Sequence, residues 1–214
     1  MKRIRLNVLA AIVLGLAACA SPERTRNLND PTVAPKTMAL QVCSACHGVS
    51  GNSISPNFPH LAGQTPEYLV SQLTNFRKHS RSDPAGFEYM WGLSRHLTDE
   101  QVKGLAAYFS AQKRVVSKVV ANREEVAAGE AIFKNGVPDK NIPGCFACHG
   151  DHGQGNGQTP RLAGQHADYL QKQLMVFQRT DERPEGAIMK VIAHDLTETN
   201  MKDVSEYLQS LALP

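Results

Sequence analysis

Apolar residues recur along this chain mostly at intervals of three and four, the period of a helix with one buried face. Leu69, Leu73 and Phe76 form one such stripe, and Val102, Leu105, Ala106 and Phe109 form another. Ahead of the first stripe, Thr65-Pro66-Glu67 supplies an N-cap residue and then a proline in the first turn, where its missing N–H is not needed. Ahead of the second, Thr98-Asp99-Glu100-Gln101 has the form of a capping box, each end accepting the other's backbone N–H. Further on, Val126 to Asn135 reads as helical, with Gly136 where a helix C-cap is expected, and two more helices start from His166 and Thr197. No clear strand pattern interrupts them, so the expected fold class is all-α.

The helices fall into two sets because the chain repeats itself. Phe58-Pro59-His60-Leu61-Ala62-Gly63-Gln64 answers Thr159-Pro160-Arg161-Leu162-Ala163-Gly164-Gln165. Tyr68, Leu69, Gln72 and Leu73 answer Tyr169, Leu170, Gln173 and Leu174, and Leu97-Thr98-Asp99 answers Leu196-Thr197-Glu198. This is a tandem duplication, with one domain at 36–112, a second at 123–214 and a basic linker, 113–122, between them. Domains of that size have small cores, and a large apolar group inside each would supply much of the missing buried surface.

The start of the chain reads as a processing signal. A basic Met1-Lys2-Arg3-Ile4-Arg5 precedes an apolar run from Val8 to Ala18 that is too short to span a bilayer as a mature helix. Leu16-Ala17-Ala18-Cys19 matches a bacterial lipobox, which predicts a signal peptide at 1–18 and lipidation of Cys19; ordinary cleavage after Ala18-Cys19-Ala20 is the competing reading. Residues 19–35, polar and punctuated by proline, follow as a tether. The expected location is therefore periplasmic, anchored to a membrane as a lipoprotein. Charge adds an asymmetry: 36–112 holds six basic and five acidic side chains, whereas 123–214 holds nine and thirteen. Nothing in this pattern supports nucleic-acid binding; it suits orientation on a partner.

The chemistry is concentrated in two copies of Cys-x-x-Cys-His, Cys43-Ser44-Ala45-Cys46-His47 and Cys145-Phe146-Ala147-Cys148-His149. On a helical turn, residues three apart share a face, so both sulfurs reach one edge of a haem while the histidine meets its iron. The expected cofactors are two covalently attached haem c groups. A thioredoxin-like redox pair needs a strand-and-helix fold, and a structural zinc site or plain disulfides leave the histidines without a purpose.

The repeat also filters the second axial ligand. Met90 lies seven residues before Leu97 and Met189 seven before Leu196. Met175 and Met201 fall at positions read as core, and Met38 is too near the first haem site. That favours Met90 and Met189 as the iron ligands opposite His47 and His149 over simple gap-filling, with His96 and His194 as the rival ligands. His60, His79, His96, His152, His166 and His194 read mostly as surface residues. Pro59 and Pro160 lie where a backbone carbonyl would accept the other ring N–H of each ligating histidine. Arg77, Lys78, Arg81, Arg179 and Arg183 read either as haem-propionate partners or as solvated surface charge.

In these features the chain resembles the dihaem cytochrome c4 family, two class I cytochrome c domains in tandem, over nearly all of 36–212. The resemblance rests on both Cys-x-x-Cys-His-Gly sites, both Pro-x-Leu-Ala-Gly-Gln segments, the Tyr-Leu/Gln-Leu helices and a methionine before each Leu-Thr-Asp/Glu start. It implies His47 with Met90 and His149 with Met189 as ligand pairs, Pro59 and Pro160 as acceptors, and a periplasmic shuttle that feeds a terminal oxidase or other membrane respiratory complexes. One departure stands out: the second half keeps Gly153, Gly155 and Gly157 after its haem site, where the first has Val49-Ser50-Gly51-Asn52-Ser53-Ile54-Ser55. The expected function is one-electron transfer without a small-molecule substrate. The alternatives are an electron-accepting subunit of a dehydrogenase and a dihaem enzyme such as a peroxidase.

Overall fold

A computed structural model describes residues 27–115 and 122–211. The signal segment, Cys19 and part of the linker lie outside the described residues. In the first half, α1 (Pro35–Met38) runs through a π-helical turn (Ala39–Cys43) into α2 (Ser44–His47). There follow α3 (Pro66–Arg77), a second π-helical turn (Gly86–Met90) leading into α4 (Trp91–Ser94), and α5 (Asp99–Ser110). The second half contains α6 (Arg123–Asn135), α7 (Phe146–His149), α8 (Ala167–Arg179), α9 (Ala187–Ala193) and α10 (Glu198–Ser210). Among the described residues there is no strand beyond two isolated bridges, Val137 with Ile142 and Asn156 with Thr159. The fold is all-α, and no described helix is long and apolar enough to cross a membrane.

Capping chemistry sets where these helices begin. Thr98 Oγ1 accepts from the Gln101 N–H at 3.1 Å while Gln101 Oε1 accepts from the Thr98 N–H at 2.9 Å, and Thr197 does the same with Asn200. The α3 start differs from expectation. Thr65 occupies the N-cap position, but its hydroxyl is buried without a partner; Gln64 Oε1 accepts the Thr65 N–H instead. A glutamine one residue upstream thus replaces the expected threonine cap, and Gln165 does likewise at His166.

Each core forms where the first and last helices of a half cross. In the first, Val33, Met38, Ala39, Leu69, Leu97, Val102, Leu105, Ala106 and Phe109 pack together, all buried and worth on the order of 1.5–3 kcal/mol for the larger side chains. The described part of the expected tether, 27–35, is therefore folded onto this half: Val33 enters its core, and Gln101 Nε2 donates to the Asp30 and Val33 carbonyls at 3.0 and 3.2 Å. In the second, Ile132, Phe133, Leu170, Val204, Tyr207 and Leu208 do the same. Close approach needs a small residue at each crossing, and the halves place it on opposite helices. Gly104 of α5 faces Pro35, whereas Gly129 of α6 faces the Asp203 backbone of α10, the position that matches Gly104 in the repeat.

The halves dock through reciprocal polar contacts. Gln64 bonds the backbone of Arg161 in both directions (3.0 and 2.7 Å), and Gln165 bonds the backbone of His60 in both (3.0 and 2.8 Å), so equivalent residues exchange places across a pseudo-two-fold junction. Beside them Arg81 and Arg183, both buried, bridge Gln72, Gln173, Asp83 and Glu185 across the junction. Surface charge is therefore the wrong reading for these two arginines. It is equally wrong for His60, which is 8% exposed and stacks on His166 with centroids 3.9 Å apart.

Candidate haem sites

In each half the Cys-x-x-Cys-His motif ends a helical run, which turns both cysteines and the histidine toward one side. Cys43 and Cys145 sit against the apolar cores, and burial pushes each thiol up to about 11. A thioredoxin-like attacking cysteine needs the opposite shift, so that alternative fails on acidity as well as on fold. Among the described residues no three His, Cys, Asp or Glu side chains converge as a metal-binding set.

The histidines are held in one tautomer. His47 Nδ1 lies 2.9 Å from the Pro59 carbonyl and His149 Nδ1 lies 2.9 Å from that of Pro160. A carbonyl only accepts, so Nδ1 carries the proton and Nε2 presents a lone pair. Both rings are buried; burial lowers the pKa of each, the proline carbonyl opposes it, and the rings stay neutral. Neutral imidazole with a free Nε2 is the form that binds iron.

One clamp positions both proline carbonyls. The Gly51 carbonyl accepts from the Leu61 and Ala62 N–H groups at 2.8 and 3.0 Å, and Gly153 accepts from Leu162 and Ala163 at 2.8 and 3.0 Å. Both glycines take positive φ, +71° and +64°, a region side chains seldom enter. The shorter glycine complement of the first half therefore still closes the same turn. Downstream the halves differ: Ser53 Oγ bonds the Cys46 carbonyl in the first, and the Gly155 N–H bonds the His149 carbonyl in the second.

Met90 ends the second π-helical turn and Met189 lies in the first turn of α9; both are half-buried. The Met90 segment approaches His47 through two edge-on ring contacts, Tyr89 with Phe58 at 6.3 Å and Phe58 with His47 at 6.2 Å. Met189 packs beside Ile142, Phe177, Leu196 and Met201. His96, His152 and His194 are exposed. The donor set of each half fits haem c: paired thiols on one turn, and beside them a neutral imidazole whose orientation is already fixed.

Sequence reasoning missed the junction, although Gln64, Tyr68 and Gln72 recur in register as Gln165, Tyr169 and Gln173. Polar side chains repeated on a helix with an apolar stripe were the available signal.

Known proteins share this arrangement. The cytochrome c family model matches residues 34–113 and 126–212. Cytochrome c4 of Azotobacter vinelandii is 38% identical over 79% of this chain and 84% of its own. The thiosulfate dehydrogenase electron acceptor of Stutzerimonas stutzeri is 32% identical over 81% of this chain and 80% of its own. The solved structure of Acidithiobacillus ferrooxidans cytochrome c4 superposes with a TM-score of 0.74 at 40% identity, covering 79% of this chain and 98% of that one. With two such domains in tandem, each holding its Cys-x-x-Cys-His turn, this chain belongs to the dihaem cytochrome c4 family and is an electron-transfer cytochrome with two covalently bound haem c groups.

Proposed function

We propose that the chain is an exported, lipid-anchored carrier that moves one electron per haem along a respiratory chain and delivers it to a terminal oxidase. The observation that carries this reading is the sameness of the two sites: each histidine is fixed to a proline carbonyl at 2.9 Å, and each half offers a methionine in one register. In this reading His47 and Met90 ligate one iron, and His149 and Met189 the other. Cys43, Cys46, Cys145 and Cys148 hold the haems as thioethers. Bound haem supplies a one-electron iron couple. The Pro59 and Pro160 carbonyls keep each Nε2 aimed and basic, and the methionine thioethers favour the reduced state, which suits a carrier near the oxidising end of a chain. With the same ligand pair in both halves, neither site is left open for a substrate, which counts against a dihaem peroxidase.

Cys19 would anchor the protein; with residues 27–35 packed on the first half, 19–26 remain as the tether, which spans on the order of 30 Å when extended. A second reading has specific support: a relative of similar length is described as a thiosulfate dehydrogenase electron acceptor. An acceptor of that kind uses the same two sites and differs in its partner.

Carbon monoxide tests the ligand reading. The fully reduced protein is expected to ignore it and keep a low-spin spectrum at both haems; stoichiometric binding at one haem would mean an open site and an enzyme. Reoxidation by oxidase-containing membranes, compared with reduction by a dehydrogenase and its substrate, separates the two carrier roles.

A further inference from the structure

The halves diverge around the methionine turns. Phe87, Tyr89 and Trp91 surround Met90, where the second half has Gly186, Ile188 and Lys190 in the same register. Phe87 and Tyr89 are 58% and 53% exposed, and Leu93 adds to the patch at 37%. The rings are ordered against one another. His79, held at a φ of 58° that non-glycine residues rarely adopt, stacks on Phe87 at 5.4 Å and on Trp91 at 4.8 Å. Arg95 lies over the Trp91 ring at 5.3 Å. Through Tyr89, Phe58 and His47 the patch is continuous with the first haem site.

Its rim is basic. Lys78 and Arg95 are exposed there, with Glu88 the acidic exception on the turn itself. Arg77 with Asp99 and Arg179 with Glu198 are equivalent pairs in the two halves, but the second-half rim is further neutralised: Lys190 pairs with Asp181, and Asp195 lies against His194. Two copies of the first-half patch brought face to face would oppose like charges, so self-pairing is disfavoured.

We propose that this aromatic patch is the docking face for a redox partner protein whose contact surface is an apolar centre ringed by carboxylates. The first half is then where electrons enter or leave the protein. Rigid aromatic side chains concentrate binding energy in a small contact area, while the charged rim speeds encounter without slowing release. One electron crosses per encounter: the partner's one-electron centre is oxidised as this chain is reduced, or the reverse, with no proton or covalent bond exchanged. The proposal rests on the electron-carrier reading above.

The test uses the mature holoprotein on gold coated with a mixed monolayer of carboxylate- and methyl-terminated thiols, which stands in for the partner surface. Voltammetry reads the transfer rate. Phe87→Ser/Tyr89→Ser should lower that rate about tenfold, as should Lys78→Glu/Arg95→Glu at low salt, while Ile188→Ser/Val191→Ser in the second half leaves it unchanged. Retention of both haem spectra confirms that the variants are folded. Equal rates in all variants, or a loss confined to the second-half variant, would overturn the docking face. A concentration-dependent dimer abolished by Phe87→Ser/Tyr89→Ser would overturn it too, since the occupant would be a second copy. Failure of the parent to exchange electrons with any electrode would instead strike at the carrier reading.

Discussion

Gly129→Ala tests whether the α6–α10 crossing holds the second half together. An added Cβ there would come within 2.8 Å of Tyr207 Cβ and closer still to the Asp203 carbonyl oxygen, where ordinary contacts begin at 3.4 Å. The obstruction is helix backbone, so no rotamer change relieves it and the helices must part. That loosens Phe133, Val204 and Leu208, which meet at the same crossing. Overpacking of this kind costs typically 1–3 kcal/mol, and a backbone clash belongs at or beyond the upper end. Alanine's better helix propensity returns about 1 kcal/mol, leaving a net loss of about 2–3 kcal/mol. For a domain of this size that lowers the midpoint by on the order of 10–20 °C. Thermal unfolding of the holoprotein, followed by haem absorbance and circular dichroism, would show it. Gly92→Ala is the control: nothing lies within 4 Å of its Cβ, so propensity alone should leave stability unchanged or slightly raised. If Gly129→Ala melted at or above the parent temperature, close backbone contact would not be what the glycine is for.

Three further outcomes are expected. Met90→Ala and Met189→Ala should each lower the potential of one haem and open its iron to carbon monoxide; a variant with unchanged spectrum and potential would remove that ligand assignment. Arg81→Met should cost roughly 3–5 kcal/mol and split urea unfolding into two transitions, because it strips a buried guanidinium from Asp83 and from Gln173 across the junction; a single transition at the parent midpoint would refute this. Burial, with help from the His166 and Arg114 charges, pushes His60 down to about 3, so the docked junction needs it neutral. The undocked state takes up a proton near the ordinary pKa of 6.5, so docking is at full strength above that value and weakens as pH falls from there toward 3. Scattering should show the halves separating over this window, and His60→Phe should weaken the dependence, leaving the part due to His166, which burial at the same junction also shifts down; a pH-independent radius in the parent would contradict it.

Much of this protein is legible along its length because the information is local or repeated. A cysteine pair on one helical turn, a histidine beside it and a capping box at Thr98 are each complete within a few residues. The internal duplication supplies what a lone sequence usually lacks, a second copy against which Met90 and Met189 stand out. Other features depend on residues that meet only after the chain has folded back on itself. Arg81 and Arg183 look like solvent-facing charges until Gln173 reaches the first and Gln72 the second from the opposite half. His60 looks like a surface histidine until His166 stacks on it. Periodicity thus settles which faces are apolar, and motif spacing settles which atoms can share a haem. Whether a polar side chain ends in water or in a buried junction turns on partners some hundred residues away, and that is a property of the docked tertiary structure.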